Sequence, residues 1–135
     1  MAQGNDNEVR ERRFHDTLSA LEEVVAGVAG VPTAILRDSR IQRFEFTFEA
    51  VWKLLAAIAE DEGVDASTPR KAFQAAIRAG LLDASDEGAA WEMLRYRNLT
   101  VHTYDEDLAI EVEGFVTGSG IELFRKLSSR AGLRT

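Results

Sequence analysis

The sequence predicts an all-α protein, an up-and-down antiparallel bundle of four main helices plus a short one. Three observations predict it. Apolar residues recur at three- and four-residue steps along nearly the whole chain. The periodic stretches are separated by Gly, Pro and capping residues near positions 30–33, 62–69 and 80–86. No segment requires a strand, and 135 residues with 45% apolar content suit one compact core.

The first helix is expected from about Glu8 to Ala29, with Val9, Phe14, Leu18, Leu21, Val25 and Val28 on its apolar face. Residues 1–7 are polar and expected to be disordered. Gly30-Val31-Pro32 ends that helix, and Thr33 reads as the cap of the next. The second helix, about 28 residues long, carries Ile41, Phe44, Phe48, Val51, Leu55 and Ile58 and closes at Glu62-Gly63. Phe44-Glu45-Phe46-Thr47-Phe48 alternates like a strand but sits within this helical period, so it reads as core packing flanked by Trp52.

Ser67-Thr68-Pro69 starts the short helix, which runs to Ala79 and stops at Gly80. Ser85 or Asp86 opens the next, with Trp91, Leu94, Asn98 and Val101 on its predicted buried stripe. Thr103 and Glu106 have capping-box spacing, so the last helix is expected to begin near Tyr104 or Asp105. Leu108, Val112, Phe115, Val116, Leu123 and Leu127 give it an apolar face. Gly114, Gly118 and Gly120 each weaken it by roughly 1 kcal/mol against Ala, which predicts a kink or a close contact.

Composition bounds the function. The whole of 1–135 reads as one domain, without repeats or a separating linker. There is no cysteine, so no disulfide or thiolate chemistry, and the two histidines, His15 and His102, lack zinc-ligand spacing. No apolar run reaches a membrane span and none follows the polar N-terminus as in a signal peptide, so a cytoplasmic location is expected. A formal charge of -7 disfavours broad attachment to nucleic acid. Arg37, Arg40 and Arg43, with Arg95 and Arg97, either line a local basic groove or lie solvated on an exposed face.

One segment concentrates polar chemistry. Arg97-Asn98-Leu99-Thr100-Val101-His102-Thr103-Tyr104 places a guanidinium, an amide, an imidazole and a phenol at the end of an amphipathic helix. Asn98 and His102 fall one turn apart, and Arg97 and Tyr104 align on the adjoining face if the helix persists. A neutral imidazole can take a proton from a ribose 2′-hydroxyl while a guanidinium stabilises charge on a phosphorane, with no metal needed. Taken singly, each residue also has a structural reading. His102 would satisfy helix-end carbonyls, Asn98 would be a buried amide, Arg97 would pair with Asp105 or Glu106, and Tyr104 would be a core aromatic.

The segment resembles the RxxxxHxY signature of the HEPN superfamily (higher eukaryotes and prokaryotes nucleotide-binding), and more closely its nucleotidyltransferase substrate-binding proteins. The likeness extends, in order, over Arg43 to Lys53, Ser67-Thr68-Pro69-Arg70, Ala79-Gly80-Leu81, Trp91 and Asn98 to Glu106, covering about residues 10 to 128. It implies a HEPN-like bundle that forms a homodimer or higher homo-oligomer and partners a separately encoded minimal nucleotidyltransferase. The bundle is similar to the helical domain that completes the active site of aminoglycoside nucleotidyltransferases. In related toxin-antitoxin pairs the HEPN protein is a metal-independent RNase or RNA-binding toxin, silenced when the transferase adds AMP from ATP to the motif tyrosine. Carried over, Arg97 and His102 would be the RNase pair, Asn98 the auxiliary polar residue and Tyr104 the AMP acceptor. No cofactor or metal of its own is implied, ATP being used by the partner. Two alternatives stand beside the transferase-partner reading: an active RNase toxin, and a non-catalytic helical interaction protein.

Overall fold

The computed structural model describes residues 2–132, and every regular element among them is helical. Helix α1 spans Ala2–Val25, α2 Thr33–Asp61, α3 Pro69–Arg78, α4 Glu87–Leu99, α5 Glu106–Phe115 and α6 Ile121–Leu127. Helix α1 packs along α2, which carries α3 on its C-terminal half and α5 on its N-terminal half. The bundle predicted from periodicity is the fold observed.

The long α2 is the spine because it buries residues on more than one side: Phe44, Phe48, Val51 and Leu54 are fully buried, and Ile41 and Leu55 nearly so. Phe44 lies at the centre, its ring 5.8 Å from Phe124, 6.2 Å from Phe115 and 6.4 Å from Phe48. Phe48 stacks on Phe73 of α3 at 5.9 Å, and Phe14 of α1 meets Phe124 edge-on at 6.2 Å. These rings tie α1, α2, α3, α5 and α6 into one core.

Several local expectations shift. Helix α1 ends at Val25, so Val28 lies beyond it, and Val24 takes the buried place expected of Val25. Its backbone is helical from Ala2, across residues expected to be disordered, and Asn7 donates to the Asp61 carboxylate at 2.7 Å, anchoring this end to α2. Thr33 is the first helical residue of α2 rather than its cap; Pro32 occupies the cap position, which has no side-chain bond. Phe46 is turned outward, 55% exposed, while Phe44, Thr47 and Phe48 are buried. Thr68 caps α3 as predicted, accepting from the Lys71 amide at 3.2 Å, and Gly80 after it takes φ +79°.

Helix α4 is preceded by a 3₁₀ turn, Ala84–Asp86, in which the Asp86 carboxylate accepts the Asp83 amide at 2.8 Å. The α5–α6 run breaks where glycines were expected to break it. A wide turn, Val116–Gly120, interrupts the helix, with Gly118 at non-helical φ −107° and ψ −106°. Gly120 is needed for a close approach: a Cβ there would lie 3.0 Å from both the ring and the carbonyl oxygen of Phe115.

Arg40 and Arg43 form neither a basic groove nor a solvated face. Arg40 donates to the carbonyls of Val24 (2.8 Å) and Val25 (3.2 Å) and to Glu113 (3.0 Å), and Arg43 donates to Ala20 (2.7 Å). Arg37 shares Glu113 at 3.2 Å. The Val24 and Val25 carbonyls have no amide partners within α1 and carry its negative dipole end, so Arg40 is drawn to them, whereas Arg43 adds a second donor to a carbonyl one turn inside the helix.

The C-terminal turn is clamped by charge. Lys126 lies 2.9 Å from Asp86 and Arg130 lies 3.1 Å from Asp83. The Lys126 hydrogen bond holds the Asp86 carboxyl below its ordinary value against the opposing effect of burial, and Arg130 does the same for Asp83. A depressed carboxyl stabilises the fold fully above its unfolded pKa of about 4 and loses that contribution as pH falls through the lower folded value. Lys126→Met is therefore expected to melt further below wild type at pH 7 than at an acidic pH under the ordinary carboxyl range, where the gap narrows. Thermal melts at the two pH values check this; a gap that persists in acid would show that packing of the lysine stem, not charge, is responsible.

Candidate functional site

The polar segment lies where α4 stops. Helix α4 ends at Leu99, Thr100–His102 form a 3₁₀ turn, and α5 restarts at Glu106. Thr100 causes much of this. Its buried hydroxyl donates to the Arg97 carbonyl at 2.7 Å and also lies 3.1 Å from a Glu45 oxygen on α2, pinning the turn to the spine. Thr103 donates back to the Thr100 carbonyl at 3.0 Å. The predicted capping box is replaced by Asp105, whose carboxylate accepts the amides of Asp107 (3.0 Å) and Leu108 (3.4 Å).

The buried stripe of α4 is Ala90, Met93 and Tyr96, continued by Thr100 in the turn that follows, one or two positions off the predicted one. Trp91 and Leu94 are half-buried, Asn98 is exposed and Val101 is 70% exposed. Tyr96 wins the inward place because its ring stacks on Phe115 at 4.7 Å and its hydroxyl donates to Glu111 at 2.8 Å. Arg95 lies over that same ring and 3.5 Å from Glu111, so it too is engaged rather than free in a groove.

The four candidate residues therefore share one exposed helix end. Tyr104 is 86% exposed and its ring lies 6.2 Å from that of His102. The His102 imidazole is exposed and makes no hydrogen bond among the described residues. Asn98 is exposed and accepts from Arg97 at 3.4 Å. Arg97 is half-buried; its Nη2 donates to Glu49 at 2.7 Å and its guanidinium lies over the Phe48 ring at 5.4 Å. The helix does not persist to Tyr104, so the predicted alignment of Arg97 with Tyr104 is replaced by the His102–Tyr104 approach.

None of the single-residue structural readings describes this arrangement. Asn98 and Tyr104 are not buried, His102 satisfies no helix-end carbonyl, and Arg97 pairs with Glu49 instead of Asp105 or Glu106. Sequence reasoning missed Glu45 and Glu49, one turn apart on α2 and both reaching this segment. It also missed Phe46 and Val101 as exposed apolar neighbours of the Glu45–Thr100 contact. Only the i, i+4 spacing of the glutamates inside a Phe-rich stretch marked them. Four cavities, from about 250 Å³ to about 670 Å³, are lined by other residues. No group of three potential metal ligands occurs among the described residues, and no helix there is long and apolar enough to cross a membrane.

A small helical bundle with an Arg-Asn…His-x-Tyr end exposed between its fourth and fifth helices defines the class. The family model for nucleotidyltransferase substrate binding protein like sequences matches residues 10–131, and the chain belongs to that family. A protein of Thermus thermophilus of known crystal structure is 34% identical, covers 87% of this chain and 98% of its own, and superposes with a TM-score of 0.77. No curated protein matches the sequence.

Proposed function

We propose that the chain partners a separately encoded nucleotidyltransferase and accepts AMP from ATP on Tyr104, with Arg97 and His102 forming a phosphate-binding surface beside it. The observation that carries this reading is the exposure of Tyr104 at 86%, on a turn pinned at both ends, 6.2 Å from an unengaged imidazole. In the transfer, the phenolic oxygen attacks the α-phosphorus of ATP and forms a new P–O bond. The bond from that phosphorus to the bridging oxygen breaks, pyrophosphate leaves, and the phenol proton goes to a base, for which His102 is the nearby candidate. The partner supplies the ATP site. Phe46 and Val101, next in sequence to Glu45 and Thr100, are exposed apolar side chains, which suits burial against a second copy of the chain.

The test is intact mass after incubation with a cognate nucleotidyltransferase and ATP. Wild type is expected to gain one or more AMP units and Tyr104→Phe none. Equal gain by the Tyr104→Phe protein would exclude this acceptor.

A second reading is favoured by the free, exposed His102 imidazole: a metal-independent endoribonuclease in which His102 takes the 2′-hydroxyl proton and Arg97 stabilises the phosphorane. Expression of wild type and His102→Ala, compared for growth and RNA integrity, separates it from the first. Unchanged RNA in both cells would leave the non-enzymatic reading.

A further inference from the structure

Glu45 and Glu49 project from one face of α2 towards the end of α4, but they meet different groups. Glu45 Oε2 lies 3.1 Å from the Thr100 hydroxyl and so braces the turn. Glu49 meets the cation: its Oε2 accepts from Arg97 Nη2 at 2.7 Å, and its Oε1 lies 3.4 Å from the Trp52 indole nitrogen. The terminal nitrogens of Arg97 thus both face acceptors of the chain itself, Nη2 on Glu49 and Nη1 on Asn98 at 3.4 Å. The Arg97 guanidinium carbon lies 5.4 Å from the centre of the Phe48 ring.

A guanidinium fork binds carboxylates and phosphates through the same donors and similar geometry. An arginine already holding a carboxylate is a formed anion seat with an occupant. We infer that Glu49 is the internal competitor for phosphate at Arg97, so that a phosphate-bearing ligand binds there by displacing the Glu49 carboxylate. This rests on the reading of Arg97 as a phosphate-binding residue and adds the residue that sets its affinity. Both side chains of the pair are 39% exposed, so the pair is weak and reversible in water. Glu49 is expected to lower affinity by roughly three- to fivefold rather than to abolish binding.

The alternative role for Glu49 is to position Arg97 for ligand, and it predicts the opposite sign. Titration of the full chain with 5′-AMP, followed by amide chemical shifts of residues 95–105, distinguishes them. Glu49→Gln and Glu49→Ala are expected to bind AMP roughly three- to fivefold more tightly than wild type, and Arg97→Ala is expected to lose the response. Using both substitutions at Glu49, with circular dichroism to confirm helix content, separates release of the arginine from damage to the fold. Unchanged, weaker or undetectable binding by both Glu49 variants, with the response lost in Arg97→Ala, overturns the competitor role and leaves Arg97 as the phosphate contact. A wild-type response from Arg97→Ala overturns the phosphate reading itself.

Discussion

Phe44→Ala is expected to destabilise the fold by about 3–5 kcal/mol, the largest loss from any single truncation considered for this chain. Phe44 is fully buried and its ring contacts three other phenylalanines, from α2, α5 and α6. Removing it takes away the transfer energy of the ring and leaves a void whose walls belong to three elements, which cannot all close inward together. Phe46→Ala, two positions away and 55% exposed, is expected to change stability by no more than about 0.5 kcal/mol. Urea unfolding of the two variants measures the contrast. Similar midpoints would mean that the centre of the core lies elsewhere.

Arg40→Met should cost about 2–4 kcal/mol, more than most ion-pair losses. Its side chain is only 18% exposed and makes three contacts at once, with two terminal carbonyls of α1 and with Glu113 of α5. Methionine fills the space of the stem but leaves the Val25 carbonyl without a donor, the Val24 carbonyl with the Gly27 amide alone and Glu113 with Arg37 alone. Arg37→Met, which removes only the contact to Glu113 at 3.2 Å, is expected to cost less. A denaturant series with both single variants gives the ordering, and equal losses would show that the carbonyl contacts carry no weight.

Much of this architecture was legible because helix class depends on local spacing. Periodicity, Thr68 before Pro69 and Gly80 placed α2, α3 and α4 to within a few residues, while α1 begins six residues earlier than expected. The polar segment was legible for a different reason: four functional side chains within eight positions, in an order resembling a known family, stand out without coordinates. What did not follow from the sequence depends on partners distant along the chain. Tyr96 rather than Asn98 turned inward because Phe115 and Glu111 await it. Arg40 found the end of α1 and Arg43 a carbonyl one turn earlier, targets no local pattern displays. Glu49 could not be linked to Arg97, 48 positions later, because only the folded chain brings the end of α4 within side-chain reach of α2.

The wide turn at Val116–Gly120 bears on how the last third of the chain encodes its inner face. In an uninterrupted helix Ile121, nine residues after Val112, would point about 180° away from it. Both are nonetheless buried, and so is Phe124. The turn absorbs one surplus residue and swings everything beyond it back towards Phe14 and Phe44. Thr117, Gly118 and Ser119 thus act as a phase adjuster, and two short helices with incompatible stripes are spliced onto a single hydrophobic centre.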